Sequence, residues 1–207
     1  MAGYGVPANQ SSIQDLVGMA VDGSGNLYIA DTIWIRNVNA AGIVTTIAGK
    51  GTYPISGDEG PAIDATFDFL ESVAADAGGN VYIGDNGKIR KITPDGIIHT
   101  VAGTGTEGYA GGGSPALAAQ LHMPLSLAAD GDGNLYIAAE ENYRIGMVSA
   151  AGTIATVAGN GSYNFQGDGG AAVSVVVPPT AAGGDEPVTA TSNGASAFGG
   201  AILAVRR

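Results

Sequence analysis

The side chains of this chain that most suggest a chemical site are the carboxylates and amides of the stretch DGDGNLYIAAE, which begins at Asp130. Asp130, Asp132 and Asn134 stand at alternate positions, as the first oxygen ligands of a helix-flanked calcium loop do. Glu141 falls at the twelfth position of such a loop, where a bidentate carboxylate is expected. The sixth position requires glycine, however, and here it is Leu135, which opens a run typical of a β-strand. We therefore predict a hairpin turn in which the polar side chains bond to nearby backbone, and no metal site.

Two histidines, His99 and His122, are the other side chains that often carry metal or acid–base chemistry. A metal site needs at least three converging ligands, and these two residues fall in a predicted outer strand and in a connection, so we do not expect them to meet. The chain has no cysteine, which excludes thiol catalysis and thiolate metal sites, and it has no G-x-S-x-G nucleophile motif. No catalytic residue, metal or cofactor is predicted.

Composition narrows the classes of partner. The net charge is −11 with only eight Lys and Arg residues, so phosphate-backbone binding to nucleic acid lacks its main driving force. No apolar run approaches the ~18 residues of a membrane-spanning helix, and the first ten residues show no signal-peptide pattern. The 35 glycines punctuate short apolar runs, which favours an all-β fold of many short strands.

An internal repeat decides the predicted fold. The segments VDGSGNLYIAD, ADAGGNVYIGD and ADGDGNLYIAA follow one another at intervals of 54 residues, and each is followed by a second motif, TTIAGKG, HTVAGTG or ATVAGNG. Each unit divides into four short strands; in the first unit they cover 17–21, 27–30, 33–38 and 43–48. Tight turns bearing Gly and Asn favour antiparallel pairing. Four antiparallel strands repeated head to tail are typical of β-propeller blades.

These motifs, in this order and three times over, resemble the bacterial type of NHL-repeat β-propeller over roughly residues 7–170. The resemblance implies a propeller fold and suggests a secreted or cell-surface protein. The sequence departs from the family pattern at several positions. Gly112 stands where the first and third connections keep the family aspartate as Asp58 and Asp168, and Trp34 replaces the first basic residue of the family's R-I-R-K motif.

The repeat defines the predicted domains. Residues 1–14 form a partial inter-blade connection, 15–170 form three blades (about 15–57, 69–111 and 123–167), and 171–207 form a divergent tail or a degenerate fourth blade. Propellers close with about four to eight blades, so three blades predict an open or partial propeller. The open edges would allow self-association to complete a ring.

Within the blades, the recurring tyrosines Tyr28, Tyr82 and Tyr136 are expected to pack in the core or between blades. The arginines of the third strands, Arg36, Arg90 and Arg144, are expected to pair with acidic groups such as Asp31 and Asp85 rather than with a ligand.

The long connections at 49–69, 103–123 and 159–172 carry the candidate binding residues. They should emerge on one face, where aromatic rings beside charged groups suit peptide or saccharide binding. The candidates are Tyr53, Asp58, Tyr109, Tyr163, Phe165 and Asp168. The alternative is that these loops only seal neighbouring blades.

The sequence thus favours a non-enzymatic binding or scaffold module for a protein or carbohydrate ligand. One alternative is a propeller lyase or hydrolase with a metal in its central channel. Another is a partial repeat array from a longer protein.

Overall fold

A computed structural model describes residues 5–51, 54–110 and 112–163. Its described part is built from three five-stranded antiparallel sheets and four single-turn 3₁₀ helices. The prediction of an all-β partial propeller with three blades of four antiparallel strands is confirmed. No helix within the described residues is long and apolar enough to cross a membrane.

The strands follow the repeat closely. Blade 1 consists of β1 (Val6–Pro7), β2 (Leu16–Val21), β3 (Leu27–Asp31), β4 (Trp34–Val38) and β5 (Ile43–Ala48). Blade 2 consists of β6 (Gly60–Pro61), β7 (Leu70–Ala75), β8 (Val81–Asp85), β9 (Lys88–Ile92) and β10 (Ile97–Ala102). Blade 3 consists of β11 (Ser114–Pro115), β12 (Pro124–Ala129), β13 (Leu135–Ala139), β14 (Arg144–Val148) and β15 (Thr153–Ala158).

The short first strand of each sheet was not predicted from the sequence. The connection that leaves blade 1 reaches the outer edge of blade 2, where β6 pairs with β10, before the chain enters the inner strand β7. A 3₁₀ turn, Ala62–Asp64, follows β6 and packs back on blade 1, whose Gly49 amide donates to the Ala62 carbonyl at 3.2 Å. Each such connection therefore ties two neighbouring blades together.

The core lies between the blades. One cluster joins blade 1 to blade 2 and includes Tyr28, Ile35, Phe67, Val73 and Ile83, all at most 7% exposed. A second joins blade 2 to blade 3 through Tyr82, Ile89, Leu121, Ile137 and Val148, again at most 7% exposed. Because side chains alternate across a strand, each blade contributes one apolar face to each neighbour.

Blade 1 has one face with no blade against it in the described residues. Met19 and Val21 on β2 are 68% and 63% exposed, whereas Val73, the repeat counterpart of Met19, is 7% exposed against blade 1. At the other end of the array, the face of blade 3 that carries Tyr136 and Ile145 is only half-buried, although the counterpart Ile35 in blade 1 is fully buried.

Candidate functional site

The aspartate of each repeated turn is fully engaged by the protein. In blade 2, Asp76 Oδ1 accepts hydrogen bonds from the backbone amides of Gly78 and Asn80, both at 2.9 Å. Its Oδ2 accepts from Asn80 Nδ2 at 2.7 Å and from the Tyr82 hydroxyl at 3.0 Å. The same contacts recur in blades 1 and 3. The prediction of a hydrogen-bonded hairpin turn is confirmed.

These contacts also set the pKa values of the turn. Burial raises the pKa of the Asp76 carboxyl, but the hydrogen bonds from Asn80, Tyr82 and Gly78 outweigh it, and the net pKa is lowered. Burial and the hydrogen bond to Asp22 raise the pKa of Tyr28 to about 12. The predicted packing of the recurring tyrosines between blades is confirmed for Tyr28 and Tyr82, and each hydroxyl has a carboxylate partner that the sequence analysis did not foresee.

In blade 2, a buried arginine fastens the incoming connection to the sheet. The Arg90 side chain is 0% exposed, and its Nη2 lies 2.7 Å from Asp58 Oδ1. Its guanidinium also donates to the carbonyls of Thr66 and Ser56, at 2.9 and 3.0 Å. Asp85 Oδ2, which is buried, lies 3.6 Å from Arg90 Nη1. The candidate Asp58 is therefore held by a buried cation, with a third of its side chain exposed.

The predicted pairing of third-strand arginines with acidic groups is confirmed for Arg90 and for Arg36, whose Nε lies 2.8 Å from Asp31 Oδ2. It is wrong for Arg144. The Arg144 guanidinium carbon lies 3.9 Å from the ring centroid of Tyr109, and its nitrogens donate to the carbonyls of Asn142 and Asn160. The strand register explains the difference, because Arg144 occupies the position of Trp34 and Lys88, two residues before the buried arginine.

Blade 3 lacks the whole buried ionic cluster of blade 2. Gly146 pairs with Ile137 and Thr156, as Arg90 pairs with the equivalent Ile83 and Thr100, so glycine takes the place of the arginine. The two carboxylates that flank Arg90 are also replaced by small residues. Asp85 corresponds to Ala139 and Asp58 to Gly112.

Other residues of blade 3 take over the structural contacts of that cluster. Asp85 Oδ1 accepts the backbone amide of Asp68 at 2.9 Å; in blade 3, Asn142 Oδ1 accepts the corresponding amide of His122 at 3.1 Å. Asn142 belongs to a two-residue insertion after β13. In blade 2, Thr100 donates to the Asp58 carboxylate.

In blade 3, the hydroxyls of Tyr109 and Thr156 form a 2.7 Å hydrogen bond in place of that contact. The connection is thus still attached to the sheet, although no large side chain occupies the interior position of Gly146 beneath it.

A small open cavity lies at that position. Its volume is about 20 Å³, which is room for one or two water molecules. Leu121, Ile137 and Ile154 form apolar walls, and the small residues Gly112, Ala139 and Gly146 leave the space. Polar groups also line it, contributed by Tyr109, Gln120, Asn142, Arg144 and Thr156, and none of the lining residues is acidic.

Exposed aromatic rings lie beside the cavity. Tyr109 is 49% exposed, Tyr143 is 38% exposed and Tyr163 is 85% exposed. The rings of Tyr143 and Tyr163 meet edge to face, with 5.7 Å between centroids. Arg144 stacks on Tyr109 and donates to the carbonyl of Asn160, three residues before Tyr163, so two of the predicted binding residues, Tyr109 and Tyr163, lie near the same arginine. We call Tyr109, Tyr143, Arg144 and Tyr163 the blade-3 aromatic cluster.

The remaining binding candidate within the described residues is not part of this cluster. Asp58 lies at the equivalent place in blade 2, within the ionic cluster of Arg90. Tyr53, Phe165 and Asp168 lie outside the described residues.

Acid–base groups elsewhere are dispersed. His99 Nδ1 lies 2.9 Å from Glu59 Oε2, and His122 Nε2 lies 3.5 Å from Glu107 Oε2, so the two histidines have separate partners. Among the described residues, no three His, Asp or Glu side chains are grouped so that they could hold a metal ion.

Glu71 is a buried carboxyl group that was not among the predicted site residues. It lies in the inner strand of blade 2, where the register shifts between Leu70 and Ser72, and it is 9% exposed. Burial and the nearby carboxylates of Asp85 and Glu107 raise the pKa of Glu71 to about 7. Its repeat counterparts are the apolar Val17 and Leu125, a difference that repeat alignment alone could have revealed.

Comparison with known proteins identifies the fold of this chain but not its family. No family model matches it. Mouse Teneurin-3 is 32% identical over 144 residues, or 60% of this chain, and Drosophila melanogaster Teneurin-m is 28% identical over 168 residues, or 75% of it. The matches span only 5% and 6% of those curated relatives' lengths.

Among solved structures, an auxiliary nutrient binding protein from Bacteroides ovatus is similar with a TM-score of 0.53 and 17% sequence identity. The match covers 72% of this chain and 37% of that one. Together with the three blades, this similarity defines a partial β-propeller fold.

Proposed function

We propose that this chain is a non-enzymatic binding module that recognises a protein or carbohydrate ligand on the loop side of its blades. The observation that carries the proposal is the blade-3 aromatic cluster, which has three partly exposed tyrosine rings and one arginine, and of which Tyr109 and Arg144 line an open cavity. Tyr and Arg are the residues that dominate binding surfaces, because they bury a large area and keep a polar end for hydrogen bonding.

An array of immobilised glycans and peptides tests this proposal directly. We expect the wild-type chain to bind at least one class, and Tyr143→Ala with Tyr163→Ala to weaken that binding tenfold or more. The matched control is His99→Ala, which alters a part-exposed side chain of blade 2 that contacts none of the cluster residues. Binding that survives loss of both tyrosines would place the ligand elsewhere and contradict the proposal.

We also propose that the repeats are of the NHL class. The ordered motifs of the three units and the propeller-like fold support this assignment, and the similarity to the teneurins is consistent with it. An alignment of homologues in which the same motifs recur in every blade of a closed propeller would test it.

A catalytic alternative would use a metal in the central channel, as a propeller lyase or hydrolase. Metal analysis of the purified protein separates the two functions. Stoichiometric bound calcium or zinc would overturn the binding proposal, whereas metal-free protein that still binds its ligand would support it.

A second proposal concerns self-association. The exposed face of blade 1 corresponds in the repeat to the face of blade 2 that packs on blade 1, and the half-buried face of blade 3 corresponds to the face that receives it. Two copies arranged head to tail would supply six blades, within the usual range of about four to eight for a closed ring. Light scattering that gives the mass of a single chain at high concentration would contradict this proposal.

A further inference from the structure

The cavity of blade 3 differs from its counterpart in blade 2 by a concerted change. Three interacting residues, Asp58, Asp85 and Arg90, are replaced by Gly112, Ala139 and Gly146. Loss of the arginine alone would leave buried carboxylates without a partner, which is strongly destabilising. Loss of all three leaves a neutral space in a sheet that keeps its register.

The replacement contacts keep this space open. Asn142 and the Tyr109–Thr156 pair hydrogen-bond the connection to the sheet at the rim of the cavity. These contacts replace the lost ion pairs, and they leave the interior of the cavity unfilled. Asn142 also donates from Nδ2 to the Gly108 carbonyl at 2.8 Å, which fixes its amide at the edge. Hydrogen bonds between residues at the rim therefore hold the walls of the cavity in place.

The lining determines the charge of a suitable occupant. The backbone carbonyls of Thr66 and Ser56, which accept from the Arg90 guanidinium in blade 2, have their counterparts in Gln120 and Ala110, and both of these residues line the cavity. A cation could use those carbonyls, but no acidic side chain lines the cavity and the Arg144 guanidinium lies at its rim. Since a buried charge needs a partner, a cationic group is disfavoured.

The lining also determines the polarity and size of that occupant. The lining surface is mainly apolar, and its polar part is small. The hydroxyls of Tyr109 and Thr156, which bond each other, can each make one further hydrogen bond, whereas both ends of the Asn142 amide are already bonded. A hydroxyl group on a short carbon stem matches this mixture, and space for one or two water molecules matches its size. Partly exposed tyrosine rings just outside can contact the rest of a sugar ring.

We propose that this cavity is a saccharide subsite that receives the exocyclic hydroxymethyl group of a neutral hexose at the end of a glycan. The inference rests on the binding function proposed above and names its ligand class. The sugar ring would lie on the blade-3 aromatic cluster outside the cavity.

Paired sugars test the subsite. Methyl glucoside and methyl xyloside differ only in the hydroxymethyl group, so each can be titrated into the full chain while backbone amide shifts are recorded by NMR. We expect the glucoside to shift the amides of Gly112, Gly146 and Thr156, with Arg36 and Arg90 as unaffected internal controls. The xyloside should bind about tenfold more weakly, the loss expected for one buried methylene and its hydrogen bond.

Filling the cavity provides the second arm. Gly146→Val adds volume at a position where a Cβ would meet only ordinary contacts, the nearest at 3.6 Å, so this variant should fold. The variant Gly112→Asp/Ala139→Asp/Gly146→Arg restores the ionic cluster of blade 2. Both should lose glucoside binding at least tenfold, while Gly131→Val, at an open turn position, should retain it.

The outcomes separate this inference from the broader function. Equal affinity for the two sugars, or unchanged binding after Gly146→Val, would overturn the subsite while leaving a saccharide-binding surface in place. Peptide binding on the array with no sugar-induced shift would overturn the saccharide assignment alone. Absence of any ligand on the array would overturn both.

Discussion

At the scale of single residues, blade 2 depends on one buried cation. Arg90 is paired with the carboxylates of Asp58 and Asp85 and donates hydrogen bonds to two loop carbonyls. Its guanidinium carbon also lies 5.2 Å from the centroid of the Phe67 ring, in a cation–π contact. Its removal would leave Asp85 buried without a counter-charge.

We predict that Arg90→Ala lowers the free energy of unfolding by about 3–5 kcal/mol, as expected when one partner of a buried ion pair is deleted. Urea unfolding followed by circular dichroism measures the change. The control is Lys50→Ala, whose ion pair with Asp64 is 59% exposed on both sides and should contribute less than about 1 kcal/mol. A loss at Arg90 no larger than the loss at Lys50 would show that the ionic cluster does not stabilise the blade.

Glu71 gives the blade a defined pH dependence. Its pKa in the folded protein is about 7, above the ordinary 4.5, so the folded state binds the proton more tightly than the unfolded state. The resulting stabilisation is complete below about pH 4.5 and is lost as the pH rises towards 7.

We predict that the Glu71→Gln variant lacks this pH dependence. The free energy of unfolding of the variant, measured relative to wild type, should therefore rise by about 2 kcal/mol from pH 5 to pH 8. Denaturant unfolding at both pH values provides the measurement. The exposed Glu141→Gln serves as the control for a change of net charge. If the difference between wild type and Glu71→Gln is the same at both pH values, Glu71 titrates normally.

At the scale of elements, the repeated A-G-x-G motif marks the place where each connection leaves the outer strand. Gly103 has φ +84°, and a Cβ there would lie 2.2 Å from the Gly87 carbonyl oxygen. The same approach occurs at Gly49 and Gly159, which explains why glycine recurs in all three units. Both the left-handed backbone and the close packing exclude a side chain.

We predict that Gly103→Ala destabilises the protein more than Gly96→Ala, by several kcal/mol against about 1–2 kcal/mol. Gly96 is the matched control because it has φ +81° with nothing within 4 Å of an added Cβ, so it isolates the backbone penalty. Thermal and urea unfolding of both variants would measure the difference. Equal losses would mean that the backbone approach at Gly103 relaxes freely.

At the scale of the whole molecule, the two outer blade faces determine how the array behaves in solution. Met19 and Val21 on blade 1 are exposed apolar residues at positions that are covered elsewhere in the repeat. If two copies meet head to tail, these side chains become buried in the new contact.

We predict that Met19→Asp shifts the self-associated form to a single chain, because a charge placed in an apolar contact is strongly unfavourable. Light scattering over a concentration series checks this. Ile63→Asp introduces the same charge at an exposed position on the outer 3₁₀ turn and should leave the mass unchanged. A dimer that survives Met19→Asp would use another surface.

The repeat allowed much of the fold to be predicted. Strand order, antiparallel pairing and the burial of Tyr28 and Tyr82 follow from a period of 54 residues and from the alternation of side chains along each strand. The short strand β6 was missed because a two-residue Gly-Pro segment carries no periodic signal and forms only where the outer edge of the next blade lies beside it.

The candidate site was predicted in part. Tyr109 and Tyr163 were chosen for their type, but their common surface depends on Tyr143 and Arg144, which belong to an insertion and the strand after it. The motif alignment places Arg144 level with Trp34 and Lys88, and the sheet register confirms this and assigns the position of Arg36 and Arg90 to Gly146.

The sequence by itself determined the blade, because local turns and strand periodicity repeat three times and need no information from distant residues. Only the tertiary structure decided where the interiors of the blades differ. Gly112, Ala139 and Gly146 belong to a connection and two strands, and their joint effect appears when the sheet brings them to one point. The cavity is a property of three-dimensional packing, since it arises from the volume that three separate segments together leave unfilled.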